Sequence, residues 1–194
     1  LKLSRGLGDV YKRQGFTGID MFAGPSEVVI IADAKNDPKI VSADLVAQAE
    51  HDQSAQSILI TIDEQLGNDV NKEINSQINS LPRKDIAASS WENNGKIIIV
   101  KSLDEAIALS NRLAPEHLEL LIDNPQESIK KIKNAGAIFM GRNTPEALGD
   151  YLAGPSHVLP TSRSAKFSSG LSVFDFLKKI SVSYTHLTLP TTML

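Results

Sequence analysis

The chain of 194 residues contains no cysteine, which excludes a disulfide framework, a thiolate metal site and a thiol nucleophile. Any metal chemistry has to draw on His, Asp, Glu or amide oxygen. Basic residues never run longer than two, and the net charge is -3, so no electrostatic footprint for nucleic acid or an anionic membrane is present. Long apolar stretches are missing as well. The best of them, residues 28–32 and 97–100, fall far below the roughly 18 residues of a membrane helix. With 41% hydrophobic and 5% aromatic content, the composition is that of a globular chain of one domain or two small ones, most simply cytoplasmic.

The two ends differ from what lies between them. Residues 1–14 (LKLSRGLGDVYKRQ) are basic and without periodicity, and residues 183–194 (SYTHLTLPTTML) are Thr-rich and uncharged. Both resemble translated adapter sequence at the edges of a gene assembly and are expected to be non-native extensions. A real arm and tail are the alternative. The body, residues 15–182, carries 16 basic and 22 acidic residues and a net charge of -6.

Within the body, residues 27–32 (EVVIIA) form a short β-branched run suited to a strand buried on both faces. Asp37 and Pro38 then open a helical pattern to about His51 as N-cap and first helical residue. Residues 57–62 and 96–100 are the next strands, with a helix over 63–80 between them. Ser102 to Glu105 form a capping box for a helix to Leu113. Segments 118–122, 125–134 and 137–140 continue the alternation, and a helical segment is expected to end near Val182. Residues 81–95, with Pro82 and Asn93-Asn94-Gly95, are expected to be an exposed loop. Strands and helices that trade places over short connections define an α/β fold with a largely parallel, twisted sheet.

Four places carry residues suited to chemistry. Gln48 and His51 stand at i and i+3 on the first helix, where an amide oxygen and an imidazole can reach one cation; both closing the helix end on backbone groups is the competing reading. Glu116 and His117 pair the two commonest general bases. Adjacent side chains on a regular strand diverge, so they serve one site only where the backbone is irregular, as at a strand mouth; a solvated turn is the alternative. Asp150 and His157 flank the turn-forming YLAGPS, which can fold a carboxylate and an imidazole into one cavity. Ser26 lies in AGPSE, a tight turn entering a strand, and lacks the flanking glycines of a nucleophile elbow. His186 belongs to the tail, so these places hold all three histidines of the body.

The ordered set IDMFAGPSEVVIIAD, ADLVAQAEHD, NRLAPEHLEL, AGAIFMG and GDYLAGPSHVLPT closely resembles the histidinol dehydrogenases, over residues 15–182. The resemblance implies a Rossmann-like α/β fold with helices on both faces of the sheet, incomplete relative to the family. It implies a zinc-dependent homodimer that oxidises L-histidinol through L-histidinal to L-histidine with two NAD, in histidine biosynthesis. Carried over, Gln48, His51 and Asp150 match zinc ligands, which also touch substrate. Ser26, His117 and His157 match substrate contacts, and Glu116 and His117 the acid/base pair. Phe22 stands where the family usually has Pro. Family chains are more than twice as long: the cofactor-binding residues are expected upstream of residue 15, and the last zinc ligand, a histidine, beyond residue 182. The competing readings are a zinc hydrolase with Glu116 activating water on a metal held by His51, Asp150 and His157, and an inactive truncated relative.

Overall fold

The computed structural model describes residues 24–185. Five strands, β1 (Glu27–Ala32), β2 (Gln56–Thr61), β3 (Lys96–Ile99), β4 (His117–Leu121) and β5 (Ala137–Met140), form one sheet in the order β3-β2-β1-β4-β5. Every pairing is parallel. β1 lies at the centre and is buried along its whole length, which is why EVVIIA carries no alternation. Successive residues feed opposite faces. Val28, Ile30 and Ala32 pack against α1 (Pro38–His51), α2 (Glu64–Ser80) and α3 (Lys84–Asn94), while Val29 and Ile31 pack against α4 (Leu103–Leu113).

The helix starts follow from local chemistry. Asp37 accepts a hydrogen bond from Lys39 N–H with Pro38 in the first turn, and Asp63 accepts one from Leu66 N–H at 2.6 Å. Ser102 caps α4 by accepting from Glu105 N–H at 3.2 Å. The return bond of the expected capping box is displaced by one residue, because the Glu105 carboxylate takes the N–H of Lys101 at 2.9 Å.

Three expectations fail. Residues 81–95 are not an exposed loop, since α3 occupies most of them. Asn93-Asn94-Gly95 marks where that helix stops, and its inner face is tied down by buried Ala87, by Trp91 and by Ser90, which donates to the Ala55 carbonyl at 3.0 Å. The helix expected to end near Val182 is also absent. A single 3-10 turn, Val173–Phe176, closed by Ser172 and Asp175, is followed by no regular structure through residue 185. Its apolar side chains remain exposed, Val173 at 74% and Phe176 at 78%, and a short helix without a packed face does not hold. Likewise segment 125–134 ends early: α5 (Pro125–Ser128) passes into a 3-10 turn, Ile129–Lys131. Asn111 then captures the following chain, accepting from Lys133 N–H at 2.6 Å. No helix among the described residues is long and apolar enough to cross a membrane.

Candidate active site

Chemistry gathers at the amino edge of the sheet, where β1 and β4 begin side by side and Val28 is in register with His117. α4 ends at Ala114 in the left-handed conformation, φ 51° and ψ 59°. Pro115 cannot continue a helix, and Glu116 follows before the strand starts at His117. This is the irregular mouth that lets adjacent side chains converge. They meet on one residue, Glu27. The Glu116 carboxylate accepts the N–H of Glu27 at 3.0 Å, and His117 Nδ1 lies 3.1 Å from the carbonyl of Glu27. The two side chains approach to 3.7 Å and are 7% and 6% exposed.

That carbonyl fixes the state of the ring. A carbonyl oxygen only accepts, so Nδ1 of neutral His117 carries the proton and Nε2 presents its lone pair. Phe139 of β5 stands beside the ring, with centroids 6.1 Å apart at 41°. Beyond it opens a cavity of about 470 Å³ lined by His117, Phe139, Gly149, Ala153, His157 and Leu159 among others.

The chain near residue 161 closes over the mouth of β1. Thr161 Oγ1 accepts the N–H of Gly24 at 2.6 Å, and the Glu27 carboxylate accepts that of Ser162 at 3.1 Å. Ser162 and Arg163 hold positive φ, 53° and 66°. Gly24 is required here, since a Cβ would lie 2.3 Å from Ser162 Oγ. Burial raises the Glu27 carboxyl above its ordinary value, against the pull of backbone hydrogen bonds from Ser162 and Glu116.

Glu116, His117 and the turn carrying Ser26 are thus brought together, and His157, though exposed, shares the cavity with His117. Gln48 and His51 part in exposure: Gln48 is sealed in the inner face of α1, with neither amide atom hydrogen-bonded, and His51 lies exposed at the helix end. Asp150 lies within α6 (Ala147–Tyr151); its side chain, like residue 22 and His186, lies outside the described part. Among the described residues no group of three His, Asp or Glu side chains forms a metal cluster.

Sequence reasoning missed a buried carboxyl group behind the site. Glu119, two residues along β4 from His117, is 0% exposed and accepts the N–H of Glu146 at 2.7 Å. Its carboxyl faces that of Asp44 on α1, an approach of two acids that becomes a hydrogen bond when one carries a proton. Burial, then repulsion from Asp44, pushes Glu119 up to about 9, and burial pushes Asp44 to about 6. The signal was an acid inside the apolar run LELL.

A stability profile follows. Between its ordinary value of 4.5 and about 9, the folded protein keeps a proton on Glu119 that the unfolded chain has lost. Stability therefore falls as pH rises through that window. Urea midpoints at pH 5, 7 and 9 are expected to decline, and Glu119→Gln, an uncharged isostere, to flatten the decline; a flat profile in the unaltered chain contradicts the protonated carboxyl.

The opposite, carboxyl edge of the sheet is bridged by ion pairs beside a small apolar cavity of about 140 Å³. Arg142 bridges Asp33 at the end of β1 and Asp123 beyond β4, with contacts of 2.5 and 3.0 Å. Asn36 donates to the Leu121 carbonyl at 2.7 Å between the same strands. In open parallel sheets this crevice is the usual ligand site; here it holds ion pairs between Arg142 and two aspartates, and Glu116 and His117 stand at the other end.

The sheet is Rossmann-like, with a carboxylate and an imidazole converging at a buried strand mouth, and the chain is of the α/β class. The fold is shared with an NADP-dependent glyceraldehyde-3-phosphate dehydrogenase from Bacillus halodurans at a TM-score of 0.50 and 14% identity, over 75% of this chain and 44% of that one. A much nearer likeness is the crystal structure of a histidinol dehydrogenase from Elizabethkingia anophelis, with a TM-score of 0.84 and 40% identity over 92% of this chain and 40% of that one. The family model for histidinol dehydrogenase matches residues 10–190. Histidinol dehydrogenases of Gluconobacter oxydans and Rhizobium meliloti are 55% and 54% identical over 90% and 91% of this chain. The chain belongs to the histidinol dehydrogenase family. It spans 42% of the length of each of those two relatives.

Proposed function

We propose that this chain is the zinc- and substrate-binding portion, residues 15–182, of an enzyme that oxidises L-histidinol through L-histidinal to L-histidine with two NAD, as a cytoplasmic homodimer. The observation that carries the reading is the junction of Glu116 and His117 on Glu27, which directs Nδ1 to a carbonyl and turns the Nε2 side of the ring to the cavity and to Glu146. In the first oxidation His117 Nε2 takes the proton of the substrate hydroxyl; NAD, whose binding residues are expected upstream of residue 15, would when bound accept the hydride. In the second, Glu116 takes a proton from the water that adds to the aldehyde, giving the hydrated carbon that loses the next hydride. Ser26 and His157 hold the substrate at the rim, and the apolar wall around Phe139 and Leu159 limits water to the reacting end.

Zinc fits the donors present. Gln48 buries an amide with no hydrogen-bond partner, an arrangement that costs about 1–3 kcal/mol unless a ligand uses it. Amide oxygen, imidazole and carboxylate from Gln48, His51 and Asp150 form a set without sulfur that suits this metal. When bound there, zinc would supply a template for the imidazole and amino nitrogens of the substrate.

Two outcomes test this. L-Histidinol added to the chain with zinc is expected to bind in calorimetry and not to bind after chelation; binding indifferent to zinc contradicts the template. Gln48→Leu removes an unpaired buried amide and is expected to raise the stability of the metal-free chain by about 1 kcal/mol. The same variant should lose the rise in melting temperature that zinc gives the unaltered chain. A variant that melts lower without metal, or still responds to zinc, refutes the ligand role.

A further inference from the structure

Behind the acid/base pair, Glu146 sits one residue ahead of α6, 8% exposed, with Oε1 3.7 Å from His117 Nε2. Its backbone N–H is held by Glu119 at 2.7 Å. Glu119 and His117 alternate by two along β4 and therefore face the same side of the sheet, so one strand positions both the base and the anchor of its neighbour. α6 is seated by Gly149, where a Cβ would lie 2.9 Å from the Phe139 ring, and Phe139 in turn stands beside His117.

We propose that Glu146 is a positioning residue for His117: its carboxylate, anchored through Glu119, stands on the Nε2 side of the ring and pairs with the imidazolium formed when that nitrogen accepts a proton. This deepens the dehydrogenase reading and rests on it for the source of the proton. At 3.7 Å Glu146 Oε1 stands as an ion-pair neighbour of Nε2, longer than a direct hydrogen bond. It is close enough to favour positive charge there, the more so in a buried setting. Around the imidazole stand the Glu27 carbonyl from β1 and the Glu116 carboxylate from the lead-in to β4 on the Nδ1 side, Phe139 from β5 beside the ring, Glu146 at Nε2, and His157 across the same cavity. Glu119 contributes a neutral carboxyl next to Glu146 while it shares a proton with Asp44, so the anchor does not repel the charge it holds in place.

The test is a histidine titration followed by NMR on this chain labelled with ¹³C at imidazole Cε1. His117 is assigned by the signal lost in His117→Asn. Glu146→Gln is expected to lower the His117 titration midpoint by about one pH unit while the Nδ1–H tautomer persists, and Glu146→Asp to keep part of that shift. Glu119→Gln, which preserves an acceptor for the Glu146 N–H, should leave the midpoint in place. Coincident titration curves for the unaltered chain and a Glu146→Gln variant of unchanged circular dichroism overturn the proposal. Should Glu146→Gln fail to fold, Glu146→Asp decides alone, an unmoved midpoint again overturning it. A purely structural Glu146 would change melting temperature without moving this midpoint. Absence of histidinol turnover would remove the dehydrogenase reading and leave the titration result standing, so the two failures are distinguishable.

Discussion

In a full-length chimera carrying this chain in place of the corresponding part of the Gluconobacter oxydans relative, His117→Asn is expected to lower histidinol-driven NADH formation about 100- to 10,000-fold. Asparagine can still donate to the Glu27 carbonyl that now receives Nδ1, so the mouth of β4 keeps its anchor. What disappears is the Nε2 nitrogen, and with it the acceptor proposed for the substrate's hydroxyl proton. The loss should appear mainly in kcat, with a smaller change in histidinol binding, which Ser26 and His157 also support, and with zinc content unchanged. Glu116→Gln preserves acceptance of the Glu27 N–H and should act on the second oxidation, so histidinal-driven NADH formation falls with it. Turnover within a factor of two in both variants would remove the base assignment.

Gly136→Ala is expected to destabilise the chain by about 3 kcal/mol, the upper part of the range for overpacking. The added Cβ would lie 2.5 Å from the carbonyl oxygen of Glu116 and 3.2 Å from both Leu159 and Pro160. The nearest of these is backbone, which cannot turn aside like the end of a long side chain. It is also tied into the sheet. Gly136 N–H donates to the Pro115 carbonyl at 2.9 Å and Ala137 N–H to that of Glu116 at 2.8 Å. Relief of the clash has to pull β5 from β4 at their first residues and carry Glu116 and His117 off Glu27. A denaturant midpoint measures the first effect and histidinol turnover in the chimera the second. Stability within about 0.5 kcal/mol of the unaltered protein, the range of an inconsequential surface change, would show that the mouth is more pliant than its hydrogen bonds imply.

Local signals were legible wherever the determinant was local. Asp37-Pro38, Asp63 and Ser102 start their helices as read, since a cap needs only a side chain and the next few N–H groups. The buried strand Glu27–Ala32 and the edge strand Ala137–Met140 have the read bounds. α3 was lost because its breakers, Pro82 and Gly95, flank a helix whose hold on the core through Ala87, Ser90 and Trp91 is tertiary. The terminal helix was overcalled for the converse reason: residues 173–182 have apolar side chains and no partner layer among the described residues. At the site, Glu116, His117 and His157 could be singled out by residue type. Glu119, Asp44 and Glu146 could not, because a buried acid is defined by what surrounds it.

By itself, the sequence determined the family, the α/β alternation and the chemical types available, all functions of composition, order and near-neighbour spacing. It also limited metal chemistry to nitrogen and oxygen donors, since no sulfur ligand exists in the chain apart from three methionines. Which end of the sheet carries the chemistry was decided only in three dimensions. The carboxyl edge is bridged by Arg142 reaching Asp33, 109 residues away, and the amino edge is organised by Glu27 receiving side chains from 89 and 90 residues downstream. The tautomer of His117 depends on that long-range contact too. No pattern along the chain encodes such meetings, because parallel pairing of β1 with β4 is settled by packing two helical layers on a sheet and not by the residues between them.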